Sequence, residues 1–209
     1  MDPYQETPKT WNTIAKRYEE VFMNLDIYNA SYDRFCELIN NDNASILEIG
    51  CGPGNITKYL LLQHPNYKIR ATDVSSNMIA LAQKNNPTGT FQEIDARDIA
   101  SIKKSFHGIM CGFIIPYLSK DDIIHFIKNT YTLLNRNGIL YLSFVSGDYR
   151  DSGFITGSTG DRTYFYYHTT QEIKKLLLSQ GFTIKEHLMI PYKKTKDVFE
   201  THTLLIARK

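Results

Sequence analysis

An α/β fold, with a mainly parallel sheet covered by helices on both faces, is predicted by three observations. Short apolar runs alternate with amphipathic stretches from Ile46 to Gly181. Glycines and prolines punctuate the joins, and the last two apolar runs have no helix between them. Alternating strands and helices require crossover connections, which make a parallel, doubly wound sheet. The closing pair, joined only by 191–197, should fold as an antiparallel hairpin at one edge.

The elements follow in chain order. Trp11, Ile14, Ala15, Tyr18, Val21, Phe22 and Leu25 recur at helical spacing, as do Tyr32, Phe35, Cys36 and Ile39. Ile46 to Gly50 reads as the first strand, and Asn55 to Gln63 as a helix stopped by Pro65. Lys68 to Thr72 is a second strand, Ser76 to Lys84 a helix and Thr90 to Ile94 a third strand. Gly108 to Phe113 is a buried fourth strand. Ser119 is expected to cap a long helix striped by Ile123, Ile127, Tyr131 and Leu134, which Asn135 to Gly138 should end. Ile139 to Val145 is the fifth strand. Thr169-Thr170-Gln171-Glu172 has the capping-box pattern and opens a helix ending at Gly181. Phe182 to Ile190 and Val198 to Ala207 close the chain.

Bulk properties narrow the function classes. A chain of 209 residues suits one domain, 1–209. A net charge of +2 is too mild to argue for a nucleic-acid or membrane partner. No apolar run approaches the roughly 18 residues that span a bilayer, and the polar start MDPYQETPKTW does not resemble a secretory signal. Cys36, Cys51 and Cys111 have no C-x-x-C spacing, so neither a metal site nor a disulfide framework is expected. A cytoplasmic protein is the expectation.

Chemistry concentrates in ILEIGCGPGN, Ile46 to Asn55. Its glycines, Gly50, Gly52 and Gly54, are spaced G-x-G-x-G, whereas the dinucleotide fingerprint needs G-x-G-x-x-G. No G-K-[ST] follows, so a polyphosphate loop is excluded. Asp73 ends the second strand, where such folds hold ribose hydroxyls, and Asp95 ends the third. With Glu48 these acids ring one crevice that would repel a pyrophosphate but suit an amino group, a ribose and an adenine.

These residues carry a resemblance. ILEIGCGPGN, then ATDVSSNMIALAQ, FQEIDARDI and GIMCGFIIPYLS, are similar to the class I S-adenosylmethionine-dependent methyltransferases. The resemblance implies a Rossmann-like sheet of seven strands in the order 3-2-1-4-5-7-6, with strand 7 antiparallel. It implies a helical lid over 1–42 and a core over 43–209. Residue by residue, it makes Glu48 a polar brace near the methionine end. It runs Gly50, Cys51 and Gly52 along the ligand, with Asn55 opening the helix behind them. Asp73 would hold the ribose, with Val74 and Met78 on the adenine. Asp95 would accept from the adenine amino group between Ala96 and Arg97, with Asp98 capping a following helix. Cys111, Gly112 and Phe113 would sit beneath the sulfonium, and Tyr18 would reach down from the lid. Ile114 and Ile115 replace the polar acceptor and first proline of an N-P-P-Y motif, so amino-group methylation of that type is rejected.

The long segment SGDYRDSGFITGSTGDRTYFYYH exceeds a tight connection, and such insertions tend to be functional. Tyr149, Arg150, Tyr164, Tyr166 and Tyr167 offer acceptor-binding walls, as does Tyr117, with aromatic faces and a few polar ends. His168 is the candidate general base, and His107 and His202 are expected to be structural. Lys193, Lys194 and Lys196 read as a solvated hairpin tip. The expected function is methyl transfer from S-adenosylmethionine to a small-molecule acceptor. The alternatives are an RNA or protein methyltransferase, or a non-catalytic cofactor-binding module. No basic face supports a nucleic-acid partner.

Overall fold

The computed structural model describes residues 2–157, 160–194 and 197–209. Two helices lead, α1 (Pro3–Phe22) and α2 (Asn29–Ile39). Then come β1 (Ser45–Ile49), α3 (Asn55–Gln63), β2 (Lys68–Asp73), α4 (Ser76–Asn85), β3 (Thr90–Glu93), β4 (Phe106–Gly112), α5 (Lys120–Leu133) and β5 (Leu134–Val145). A short ribbon, β6 (Gly153–Thr156) and β7 (Arg162–Phe165), precedes α6 (Thr170–Gln180), β8 (Thr183–Lys193) and β9 (Phe199–Arg208).

The main sheet has the order β3-β2-β1-β4-β5-β9-β8. The first five strands are parallel, and β9 runs antiparallel to both β5 and β8. Since β8 and β9 are the sixth and seventh strands of this sheet, the order is the expected one. Strand alternation sends side chains to two cores. Leu47, Ile109, Cys111, Leu142 and Leu205 pack with α5 and α6, and Ile46, Met110, Tyr141 and Leu204 pack with α2 and α3.

Local chemistry explains the joins. Ser119 accepts the amide of Asp122 at the head of α5, and Thr169 with Glu172 completes the capping box of α6. Gly181 closes α6 at φ 100°, a conformation that glycine adopts without strain. The stop expected at 135–138 is different: α5 ends at Leu133, and Leu134 already pairs with Phe106 as the start of β5. Asp95, not Asp98, caps the 3-10 turn Ala96–Ser101. The insertion forms the β6–β7 ribbon, Gly153 to Thr156 pairing with Phe165 to Arg162. At the hairpin tip Lys194 pairs with Glu200 at 2.9 Å, while Lys196 lies outside the described residues.

Candidate active site

A cavity of about 300 Å³ lies across the carboxyl ends of the parallel strands. At its centre is the glycine turn. Gly50, Gly52 and Gly54 all have positive φ, at 72°, 53° and 84°. A side chain there would be strained, and a Cβ on Gly54 would lie 2.4 Å from Asn86. Gly52 differs, since its Cβ would meet only Tyr18, at 3.6 Å. That space is open to a ligand.

Asp73 organises this turn. Its Oδ2 accepts the amide of Gly52 at 2.9 Å and its Oδ1 the amide of Ser75 at 2.9 Å. Burial raises its pKa, against the opposing pull of those amides. Each oxygen keeps a lone pair for a further donor. Val74 and Met78 line the cavity beside it, with Asn55 and Cys51 behind the turn.

Asp95 and Arg97 also line the cavity. The carboxylate accepts Arg97 Nε at 3.0 Å, Nη2 at 2.6 Å and the backbone amide at 2.8 Å. About one of its four acceptor positions is left free. The guanidinium sits 3.9 Å from the centre of the Tyr4 ring, so α1 and this strand end are joined by a cation–π contact.

The roof is α1. Asn12 Oδ1 accepts from Asn77 N at 2.9 Å and from Ser75 Oγ at 3.0 Å, and the Asn77 amide group donates to Asn12 O at 2.8 Å. This ties α1 to the head of α4. The ribbon is joined to α1 as well: Thr7 Oγ1 accepts from Tyr164 N at 3.0 Å, and Thr10 Oγ1 donates to the Arg162 carbonyl at 2.7 Å. The apolar stripe of Trp11, Tyr18, Phe22 and Leu25 faces the cavity.

At the β9 end the lining is Phe113, Tyr28, Val145, Tyr192 and His202. Phe113 holds φ 56°, uncommon for a bulky residue, with its amide donating to the carbonyl and the hydroxyl of Ser143, each at 3.1 Å. Tyr117, Tyr164 and Tyr166 complete the walls.

Six expected site residues do not line this cavity. Glu48 is fully buried on the α3 side; Oε2 accepts Thr57 Oγ1 at 2.5 Å, while Oε1 has no partner among the described residues. Burial pushes its pKa up to about 8. Cys111 points into the opposite core, by the strand alternation that puts Gly112 at the cavity. His168 is 2% exposed, and its Nε2 donates to the Leu118 carbonyl at 2.8 Å. It is a structural connector rather than a base at the cavity, its pKa lowered by burial. Arg150 pairs with Asp148 on the surface. Tyr149 stacks outside the cavity on Tyr166 and Lys120, and Tyr167 packs against Gly147 and Phe165. Cys51 does line the cavity, but burial raises its thiol well above the ordinary range, which argues against a nucleophile.

His202, Tyr28 and Tyr192 were not expected here. A signal was available: His202 has the same parity as Leu204 and Ile206, so it shares their face.

Comparison with known proteins agrees with this architecture. A family model described as a methyltransferase domain matches residues 46–138. A tRNA N(3)-methylcytidine methyltransferase of Schizosaccharomyces pombe is 23% identical over 85% of this chain and 80% of its own length. A malonyl-[acyl-carrier protein] O-methyltransferase of Priestia megaterium is 26% identical, over 90% and 71%. The magnesium protoporphyrin IX methyltransferase of Synechocystis, solved with bound S-adenosylmethionine, superposes with a TM-score of 0.71 at 17% identity, over 100% of this chain and 98% of that one. Residues 46–138 thus match a methyltransferase domain, and the sheet order with the glycine turn beside Asp73 makes the chain similar to the class I S-adenosylmethionine-dependent methyltransferases.

Proposed function

We propose that the chain methylates a small, uncharged, largely apolar acceptor held at the β9 end of the cavity. The composition of the wall carries this reading. Arg97 is the only lysine or arginine in the described lining, and Asp95 already neutralises it. Aromatic rings supply most of the rest. A phosphate-bearing acceptor would find no free cation there, which weighs against RNA although one relative is named for tRNA.

The residues present fit the cofactor. Gly52 leaves backbone-close space, and Asp73 keeps lone pairs suited to ribose hydroxyls. Asp95 has one position left for an exocyclic amine, between Ala96 and Arg97, with Val74 and Met78 suited to the ring's faces. When bound, S-adenosylmethionine supplies a methyl group on a sulfonium whose sulfur departs as a neutral thioether. The chain then mainly has to orient and exclude water. Gly112 and Phe113 set the boundary between cofactor and acceptor regions, and α1 with β7 seals the top. Orientation of this kind is worth several kcal/mol, up to about 7–11 in favourable cases.

Calorimetric titration with S-adenosylmethionine, S-adenosylhomocysteine and NAD tests the first half of the proposal. Binding of the first two but not NAD is expected, and NAD alone would overturn it. Methylation assays with small hydroxyaromatics against an unmodified tRNA pool test the second half. Preferred transfer to tRNA would sink it.

A further inference from the structure

Three side chains from two distant parts of the sequence meet at the β9 end. The Tyr28 hydroxyl, just ahead of α2, lies 2.6 Å from Nδ1 of His202. Nε2 of that imidazole lies 3.3 Å from Oε1 of Glu200, two residues earlier on β9 and so on the same face. Lys194 holds the other oxygen of Glu200 at 2.9 Å. Tyr28 and His202 both line the cavity. Tyr192 stacks on the imidazole with centroids 4.7 Å apart, and Phe113 meets it edge-on at 4.8 Å.

The hydrogen positions follow from the partners. A carboxylate only accepts, so the neutral imidazole carries its proton on Nε2, facing Glu200. Nδ1 is then the acceptor, and Tyr28 donates to it. The Tyr28 oxygen keeps its own lone pairs for a donor in the cavity. Packing alone would be served by a leucine, since Leu204 and Ile206 occupy the next positions on this face.

We infer that Tyr28, His202 and Glu200 form a proton-accepting relay for the methyl acceptor, and that the acceptor presents a weakly acidic hydroxyl on a flat ring, a phenol or an enol. This rests on the methyl-transfer reading above. The O–H bond of the acceptor breaks and its proton passes to the Tyr28 oxygen, as the Tyr28 proton passes to Nδ1. The electron pair stays on the acceptor oxygen, which becomes the nucleophile. Glu200 stabilises the imidazolium, which afterwards loses its proton to water along the partly exposed Glu200 edge. A carboxylate or a neutral amine already carries its free pair and needs no such device. Facing the imidazole are Tyr28 ahead of α2, Phe113 after β4, Tyr192 and Lys194 of the β8 end, and Glu200 of its own strand. Burial and Lys194 lower its pKa, while Glu200 raises it.

The test uses 4-nitrophenol, whose phenolate is coloured, added to protein saturated with S-adenosylhomocysteine at a pH below the probe's own pKa. Wild type should bind it with its ionised fraction raised about tenfold or more, equivalent to one pKa unit. Tyr28→Phe and His202→Gln should lose that colour while binding S-adenosylhomocysteine normally by calorimetry. Glu200→Gln, at a partly exposed position, should weaken the colour and keeps the test open if His202→Gln fails to fold. Bound nitrophenol that stays protonated, no binding of nitrophenol, or equal colour in the variants would overturn the relay. Failure of S-adenosylhomocysteine to bind wild type would instead overturn the methyl-transfer reading.

Discussion

Asp73 joins two amides that the chain keeps apart: Oδ2 takes Gly52 N and Oδ1 takes Ser75 N, both at 2.9 Å. One carboxylate thus ties the end of β2 to the glycine turn and to the head of α4. Asp73→Ala should weaken S-adenosylhomocysteine binding by at least a few kcal/mol, because charge-assisted bonds are lost and the turn loosens. Calorimetry on the folded variant checks this, and unchanged affinity would remove Asp73 from the site.

Gly52→Ala separates fold from function. A Cβ there meets only Tyr18 at 3.6 Å, so the cost to stability is the positive φ, about 1–2 kcal/mol. The same methyl group occupies the open face of the turn. A modest drop in denaturation midpoint with a loss of cofactor affinity of at least about tenfold, roughly 1.4 kcal/mol, is the expected pair of results.

Glu48 makes stability depend on pH. Its folded-state pKa, about 8, lies above the ordinary value of 4.5, so the folded chain holds the proton more tightly. That contribution is complete below about 4.5 and is lost as pH rises through about 8. Ligand-free wild type should therefore lose a few kcal/mol relative to Glu48→Gln between pH 5 and pH 8. Urea unfolding of both proteins at the two pH values reads this out, and parallel pH profiles would refute it.

Asn12→Ala should loosen the roof. It removes the acceptor for the head of α4, including the 2.9 Å bond from Asn77 N. A loss of about 1–2 kcal/mol is expected, seen as roughly tenfold faster dissociation of S-adenosylhomocysteine and faster amide exchange in α1. Stopped-flow displacement and hydrogen exchange measure the two effects.

His168→Gln should cost stability and leave cofactor affinity untouched, because the imidazole, which does not line the cavity, serves as a buried donor to the Leu118 carbonyl. A drop of about 1–3 kcal/mol fits the loss of a buried bond. A binding defect at unchanged stability would return His168 to the site.

What could be read beforehand was local chemistry. The α3 limits, Asn55 and Gln63, follow from a glycine before and a proline after, and the α6 cap follows from a four-residue pattern. The order of the strands came from family resemblance, since nothing local states which strands pair. The ribbon went unread because strands of four residues carry too little alternation to stand out. That His202 lines the cavity while His168 does not has a related origin. Which face His202 takes depends on its pairing with Val145 on β5 and Ile190 on β8, a register set by distant partners. Tyr28 and His202 stand 174 residues apart, beyond any periodicity.

The joint between α1 and the ribbon also sets a timetable for synthesis. Thr7 and Tyr164 are 157 residues apart in the chain. At about 5–20 residues per second, the first helix leaves the ribosome roughly 8–30 s before its partner strand exists. During that interval Thr7 and Thr10 lack their partners, and the cavity lacks the wall that Tyr164, Phe165 and Tyr166 supply. The catalytic chamber is among the last things to close, so a chain stalled before β7 can complete much of its parallel sheet yet still offer a sticky surface to chaperones and to its neighbours.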